Sequence, residues 1–236
     1  MDVKYRRVLI KISGEALSGE KGTGYDIAFV TKVCESVKRA LALGVQVGIV
    51  IGGGNFWRGV KDGAGKIERV SADRMGMLAT AMNCLAVSDV FRQCGVVARV
   101  MTAIEIQSVG ERHNVRRAIE YMEEGKVVLF ACGTGHPFFS TDTAAALRAA
   151  EIEADAILLA KNIDGVYSAD PRKDPDAVRF DEITYDEVLA RRLQVMDSTA
   201  TSLAMDNGIP VIVFALADPE NIIRVLNGEA IGTLVH

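Results

Sequence analysis

Four separate segments of the chain place glycine beside lysine, serine, threonine or aspartate, the residue types that bind phosphate. These segments are Lys11 to Glu15, Gly52 to Gly59, Gly133 to Asp142, and Lys161 to Tyr167. Backbone N–H groups exposed at glycine and at a helix N-terminus form a cradle for anions. A lysine ammonium adds a compact positive charge that can stabilise a phosphoryl group in transfer. The residue types therefore predict a phosphate-binding or phosphoryl-transfer site.

The triglycine run Gly52-Gly53-Gly54 follows the apolar run Val45–Ile51 and allows two interpretations. A single glycine is commonly a turn that needs positive φ. Three in succession favour a backbone that lies against bound phosphate, where a Cβ would clash. Neither of two common phosphate motifs fits. A P-loop requires lysine where Glu20 stands, and the dinucleotide fingerprint requires glycine where Trp57 stands.

Short β-rich runs alternate with amphipathic helical segments, and the phosphate-type segments follow the ends of the runs. The runs are Val8–Ile10, Val45–Ile51, Val96–Met101, Val127–Cys132, Ala156–Ala160 and Val211–Ala215. The helical segments are Ile27–Leu43, Ala72–Gln93, Val115–Glu124, Thr143–Ile152 and Ser198–Asn207, and several end at a glycine. This order predicts an α/β fold with a mainly parallel sheet covered on both faces by helices. Ligands of such sheets bind beyond the carboxyl ends of the strands.

Composition limits the classes of function. The 27 basic and 31 acidic residues give a net charge of -4, and no basic tract indicates nucleic-acid binding. The four cysteines lack CxxC pairing and the three histidines lack zinc-site spacing, which predicts reduced thiols in a cytosolic protein. The N-terminal apolar run is too short for a signal peptide or a membrane span. The polar segment 166–185 is predicted to be a long functional loop or small subdomain, within one domain over 1–236.

Taken together and in order, four motifs resemble the amino-acid-kinase superfamily and, in combination, its bacterial UMP kinases. They are Lys11-Ile12-Ser13-Gly14-Glu15, Gly52-Gly53-Gly54-Asn55, Gly133-Thr134-Gly135 with Ser140 to Ala145, and Asp164 to Tyr167 with Ala169-Asp170-Pro171. The resemblance implies a three-layer αβα sandwich with a central, mainly parallel sheet. It also implies reversible transfer of the γ-phosphoryl group of Mg-ATP to UMP, giving UDP and ADP for pyrimidine nucleotide biosynthesis.

The same resemblance implies a homohexamer activated by GTP and inhibited by UTP. Composition predicts a cytoplasmic protein without nucleic-acid or membrane partners. Rough alignment suggests Arg99 and Lys126 for the GTP site. The acceptor side would come mainly from 1–155 and the ATP side mainly from 156–236.

The resemblance also assigns site residues. The catalytic set is Lys11, Arg58, Asp142 and Asp197. The ATP set is Lys11, Ile12, Ser13, Gly14, Gly54, Arg58, Lys161, Asn162, Tyr167 and Asp170. The UMP set is Gly53, Asp73, Thr134, Gly135, His136, Pro137, Phe138, Phe139, Ser140 and Thr141. No protein ligand for the metal is assigned, because Mg²⁺ travels with ATP.

Several of these residues have a structural alternative. Asp73 either accepts hydrogen bonds from ribose hydroxyls or caps its predicted helix and compensates the helix dipole. Asp197 is either an active-site carboxylate or the N-cap of the helix from Ser198. Trp57 is interpreted as a packing anchor, Asp142 as the residue that orients Lys11 and the metal. His136 departs from the family, which usually has asparagine there, and introduces a group that can titrate.

Three hypotheses follow. The preferred one is a UMP kinase. The second is a kinase of the same superfamily that acts on a carboxylate or carbamate such as acetylglutamate, against which Asp73 and the Thr134–Thr141 segment argue. The third is a non-catalytic nucleotide-binding or oxyanion-storage protein, against which Lys11 and Asp142 argue.

Overall fold

The computed structural model describes residues 3–58 and 66–236, so Gly59, the last residue of one predicted phosphate segment, lies outside the described residues. A nine-stranded sheet runs in the order β4-β3-β5-β2-β1-β6-β10-β11-β9. Its strands are β1 (Arg7–Ile12), β2 (Gln46–Ile51), β3 (Ala98–Thr102), β4 (Glu111–Arg112), β5 (Val127–Ala131), β6 (Ala156–Lys161), β9 (Glu182–Ile183), β10 (Val211–Ala215) and β11 (Thr233–Val235). Every pairing is parallel except that of β10 with β11.

Helices cover both faces of this sheet. They are α1 (Gly14–Ser18), α2 (Ile27–Ala42), α3 (Arg69–Gln93), α4 (Val115–Glu123), α5 (Thr141–Glu151), α6 (Tyr185–Ala190), α7 (Ser198–Asp206) and α8 (Asn221–Leu226). One buried cluster joins α2, α3 and α8 to the sheet, and a second joins α4, α5, α6 and α7 to its other face. The predicted α/β class and three-layer αβα arrangement are therefore confirmed.

Alternation along β1 decides where its polar residue points. Val8, Ile10 and Ile12 pack in the cluster with α2 and α3, whereas Leu9 packs in the cluster with α5. Successive side chains of a strand point to opposite faces, so Lys11 shares the face of Leu9. The lysine is therefore directed toward the layer in which α5 begins.

All six predicted strands and all five predicted helices are present, with ends displaced by three residues at most. The predicted helix-ending glycines Gly44, Gly95, Gly125 and Gly208 all have positive φ. The sequence interpretation missed the short elements α1, α6 and α8 and the edge strands. Segment 166–185 forms a hairpin of β7 (Val166–Tyr167) and β8 (Arg179–Phe180), followed by β9.

No helix within the described part of the chain has the length and apolar character required to cross a membrane.

Candidate active site

Three cavities open beyond the carboxyl ends of the central strands. The glycine-side cavity, of about 340 Å³, is lined mainly by the triglycine run, the start of α3 and residues 133–141. The hairpin-side cavity, of about 770 Å³, is lined by residues 161–173 and 191–194. The helix-side cavity, of about 500 Å³, lies between Asp142, Lys161, α6 and α7. Lys11, Ser13 and Glu15 belong to the walls of both the first and second cavities.

Lys11 and Asp142 form an ion pair at this junction. Lys11 Nζ lies 2.7 Å from Asp142 Oδ1, and both side chains are largely buried. Lys11 comes from β1 and Asp142 from the first turn of α5, so the pair exists because the pleat of β1 directs Lys11 to the α5 face. The resemblance predicted this proximity, and the structure shows it.

A second lysine lies close to the pair. Lys161 ends β6, next to β1 in the sheet, and its Nζ donates to the carbonyl of Val195. Burial lowers the pKa of Lys161, the positive charge of Lys11 lowers it further, and Asp142 opposes both effects. Two ammonium groups, those of Lys11 and Lys161, thus lie close to Asp142.

Helix starts carry the hydroxyl residues of the site. Ser13 caps α1 by accepting from Ala16 N at 3.2 Å, and Ser140 caps α5 by accepting from Asp142 N at 2.9 Å. The structure confirms Asp197 as a helix N-cap and places its carboxylate beside a cavity. It caps α7 by accepting from Ala200 N at 3.0 Å, and it faces the site, where it accepts from Ser140 Oγ.

Protein packing explains the triglycine run better than a turn does. Gly52, Gly53 and Gly54 all have negative or extended φ, so the positive-φ interpretation is wrong. A Cβ on Gly53 would lie 2.9 Å from Ala79 Cβ and 3.0 Å from Gly76 O of α3. The loop is thus pressed against α3, Gly52 N donates to Ile12 O at 2.9 Å, and the three glycines line the glycine-side cavity.

A buried amide pair fixes this loop. Asn83 Nδ2 of α3 donates to Gly52 O at 2.6 Å and to Asn55 Oδ1 at 2.8 Å. Asn55 Nδ2 donates in turn to Asn83 Oδ1 and to Gly24 O, both at 3.0 Å. Asn55 lies in a predicted motif, but Asn83 had no sequence signal beyond its place on an amphipathic helix.

Arg58 and Trp57 close the loop beyond the glycines. Arg58 Nη2 lies 2.7 Å from Glu15 Oε1, so the predicted ATP and catalytic residue contacts the β1–α1 segment. Trp57 Nε1 donates to Ala72 O at 2.8 Å, in agreement with its interpretation as an anchor. Both contacts fasten the loop to the walls of the glycine-side cavity.

Asp73 holds the opposite wall. Helix capping is excluded, because α3 begins four residues earlier at Arg69. The carboxylate accepts from Phe138 N at 2.8 Å and pairs with Arg69 Nε at 2.8 Å, and it lines the glycine-side cavity. Asp73 therefore joins α3 to the 133–141 segment where the resemblance predicts UMP.

Two residues without a sequence signal fix the start of that segment. Thr80 Oγ1 accepts from Cys132 N at 2.8 Å, and the buried Arg148 donates to Gly133 O at 3.2 Å. Arg148 also pairs with Glu151 at 2.5 Å, and Glu151 lies 2.9 Å from His113 Nε2. Burial alone would raise the pKa of Glu151, but His113 and Arg148 outweigh it and lower the pKa.

The remaining predicted residues divide between the cavities. Thr134, His136, Phe139, Ser140 and Thr141 line the glycine-side cavity, and Asn162, Tyr167 and Asp170 line the hairpin-side cavity. Ile12, Gly135, Pro137 and Phe138 lie outside the walls of the three cavities as described, and the Ile12 side chain is part of the core. Tyr167 Oη donates to Asp164 Oδ1 at 2.8 Å, which raises the pKa of Tyr167.

The chain is similar to a kinase family and to solved structures of kinases. A model of the amino acid kinase family matches residues 6–215. The UMP kinase of Bacillus anthracis is 37% identical, with 98% of this chain and 96% of that chain covered at a TM-score of 0.94. The UMP kinase of Ureaplasma parvum is 36% identical, with 98% of each chain covered at a TM-score of 0.92. The uridylate kinase of Archaeoglobus fulgidus is 28% identical, with 97% and 99% covered at a TM-score of 0.75.

Proposed function

The chain belongs to the amino acid kinase family, and on that premise we propose that it is a UMP kinase. It would transfer the γ-phosphoryl group of ATP reversibly to UMP, giving ADP and UDP, for the supply of UTP and CTP. Structural relatives at 37% and 36% identity that cover 98% of the chain are UMP kinases, which supports UMP over other acceptors of the family. We propose one domain, with the acceptor side mainly in 1–155 and the ATP side mainly in 156–236.

One observation carries the proposal: two cavities of nucleotide size share a wall at Lys11. A transferred phosphoryl group must contact donor and acceptor at once, so it must lie where their sites meet. The positively charged group at that junction is the Lys11 ammonium, held by Asp142 at 2.7 Å. A fixed ammonium at this place would stabilise charge on the transferred oxygens.

The mechanism needs no strong general base. The acceptor is a phosphate that is already ionised near neutral pH, so positioning and charge neutralisation supply most of the rate enhancement. Lys11 and Lys161 would neutralise the phosphoryl oxygens, and Asp142 would hold Lys11 in place. The backbone of Gly53 and the N-terminus of α5 would position UMP, and Asp73 would accept from its ribose.

We propose that Mg²⁺ enters with ATP. Among the described residues, no cluster of three or more acidic, histidine or cysteine side chains forms a metal site. Asp142 Oδ1 is buried and, besides its ion pair with Lys11, accepts no hydrogen bond from residues 3–58 or 66–236. Mg²⁺ in proteins uses one or two carboxylates together with substrate phosphates, and Asp142 fits that role. The ion would neutralise the phosphates when bound.

The test is an acceptor panel with Mg-ATP. ADP formation should depend on UMP, fall sharply with CMP, and be undetectable with acetylglutamate. Equal rates with all three acceptors would contradict the UMP assignment, and activity with acetylglutamate alone would favour the second hypothesis. ADP formation with none of them, together with tight nucleotide binding, would favour a non-catalytic protein.

Regulation by GTP and UTP is also proposed from the family resemblance. Three basic side chains surround the ring of Tyr121: Arg99 at 5.4 Å, Arg117 at 4.4 Å and Lys126 at 5.0 Å from its centroid. Such a cluster, away from the cavities at Lys11, suits an anionic effector. Substitution of Arg99 and Lys126 by alanine should abolish a GTP response in the acceptor assay while activity without GTP persists.

A homohexamer would need apolar contacts between copies, and α3 offers one. Met75, Leu78, Met82 and Leu85 are 40%, 49%, 49% and 43% exposed. Successive members of this set are about three or four residues apart, so the four side chains lie on one face of the helix. The order of these intervals is the same from either end of the helix, so two antiparallel copies of α3 would place Leu78 of one copy opposite Met82 of the other. Leu78→Glu should reduce the mass of the assembly that light scattering measures.

We propose a cytoplasmic location, which suits the free cysteines.

A further inference from the structure

The end of α6 has a conformation that usually requires glycine. Leu193 N donates to Val188 O at 3.0 Å and Arg192 N donates to Leu189 O at 3.2 Å, the two hydrogen bonds of a Schellman motif. Arg192 occupies the left-handed position of that motif with φ of 52°. A side chain at such a position strains the backbone, and glycine there would relieve the strain.

Elsewhere the chain uses glycine at this position. Gly44, Gly95, Gly125, Gly208 and Gly228 each follow the C-cap of a helix with positive φ. The other described exception is Glu153 after α5, with φ of 53°. Arg192 therefore has a strained backbone at a helix end where the chain elsewhere has glycine. Strain that is retained beside a cleft indicates that the side chain has a function.

Arg192 borders two of the three cavities. It lines both the hairpin-side and the helix-side cavity, as Lys161 does. Its neighbour Arg191 pairs with Glu187 at 3.0 Å and lies over the ring of Phe180. Within residues 3–58 and 66–236, by contrast, Arg192 forms no side-chain ion pair or hydrogen bond. Its exposed guanidinium is available to a ligand.

The surrounding charge indicates what kind of ligand. Six basic side chains and two acidic ones line the hairpin-side cavity, although the whole chain has a net charge of -4. A cleft lined by one sign of charge attracts the opposite sign. A guanidinium binds phosphate oxygens through paired N–H donors.

We propose that Arg192 binds the polyphosphate of the donor nucleotide, from the side of the cleft opposite the glycine-side cavity. This inference rests on the proposed function, because it takes the hairpin-side cavity as the donor site. The strain at Arg192 is then explained, since glycine would satisfy the backbone of α6 and remove the phosphate-binding group.

The experiment measures two properties of Arg192→Gly that should move in opposite directions. Its Tm should rise by about 2–4 °C, the shift that roughly 1 kcal/mol produces in a chain of this size. Its affinity for Mg-ATP and Mg-ADP by calorimetry should fall about tenfold, while affinity for adenosine changes less than about twofold. Arg192→Asn, which also tolerates the left-handed region, should weaken ATP binding similarly and provides a second variant if the first does not fold.

Glu153→Gly is the matched control. It replaces the other described non-glycine residue that follows a helix C-cap with positive φ. Glu153 lies outside the three cavities, so the change should raise the Tm without changing nucleotide affinity. Unchanged ATP affinity in both Arg192 variants would overturn the proposal, and so would an equal loss for adenosine, which would indicate a contact with the base or ribose. Failure of the wild-type protein to bind ATP or ADP would overturn it as well. The binding measurements contain no acceptor and are therefore independent of the acceptor panel. If the panel gives no ADP but the nucleotide affinities change as expected, UMP kinase activity is rejected and the contact between Arg192 and the polyphosphate stands.

Discussion

The two cavities that meet at Lys11 are built by different means. The glycine-side wall consists largely of backbone and is held in place by hydrogen bonds, such as those from Phe138 N to Asp73 and from Asn83 to Gly52 O. Its charged and titratable lining is one lysine, one histidine and two carboxylates. The hairpin-side wall has six basic side chains, several of them exposed.

The difference suggests a division of labour in the proposed reaction. A wall of fixed backbone recognises shape and places the acceptor phosphate accurately, because it does not rearrange on binding. A wall of exposed cations attracts a highly charged donor but is screened by salt. The glycine-side wall should therefore be sensitive to added volume and the hairpin-side wall to changes in charge.

Lys11→Ala removes the group that both regions share and should have the largest effect. Turnover should fall at least about a hundredfold, the usual cost of losing one preorganised donor to the transition state. The kcat at saturating ATP and UMP is the measurement, and Lys32→Ala on the exposed surface of α2 is the control. An unchanged kcat would remove Lys11 from the mechanism.

Gly53→Ala tests the rigidity of the glycine-side wall. The added methyl group meets Ala79 Cβ at 2.9 Å and Gly76 O at 3.0 Å, so unfolding free energy should fall by about 1–3 kcal/mol. Gly54→Ala is the comparison. Among the described residues, the atoms nearest its methyl group belong to the flexible side chain of Glu15, from 3.3 Å, so stability should change by less than about 0.5 kcal/mol. Urea denaturation of both variants measures the difference, and equal losses would show that the loop is not held by α3.

Asp73→Asn tests whether the two regions are selective for their ligands. The KM for UMP should rise about tenfold, because an amide is a weaker acceptor than a carboxylate and also carries donors. The KM for ATP should remain within about twofold. Asp89→Asn, at the other end of α3, is the control. A change confined to the KM for ATP would reverse the assignment of the cavities.

The smallest expected effect is a pH shift at Lys161. Its lowered pKa means that the ammonium loses its proton at a lower pH than an ordinary lysine, so kcat/KM for ATP should decline earlier on the alkaline side. Lys161→Arg should move this decline to higher pH, because a guanidinium remains protonated. Superimposable profiles for the two proteins would show that Lys161 does not set the alkaline limb.

The sequence by itself determined the class of fold and the region of the site. Apolar runs such as Val45–Ile51, followed by glycine and polar residues, predict strands and mark their carboxyl ends, because periodicity and turn chemistry are local properties. The order of four motifs identified the family. The same local signals were too weak for α1, α6 and α8, which have only five or six residues each.

Only the tertiary structure decided which residues support the site and why the glycines are there. Arg148, Thr80 and Asn83 form hydrogen bonds with residues 15, 52 and 31 positions away in the sequence. A local sequence pattern cannot predict contacts between residues so far apart. The need for glycine at Gly53 comes from α3, which packs against the loop from a distant part of the sequence. Side-chain contacts between remote segments depend on how the layers pack, and packing is a property of the folded chain as a whole.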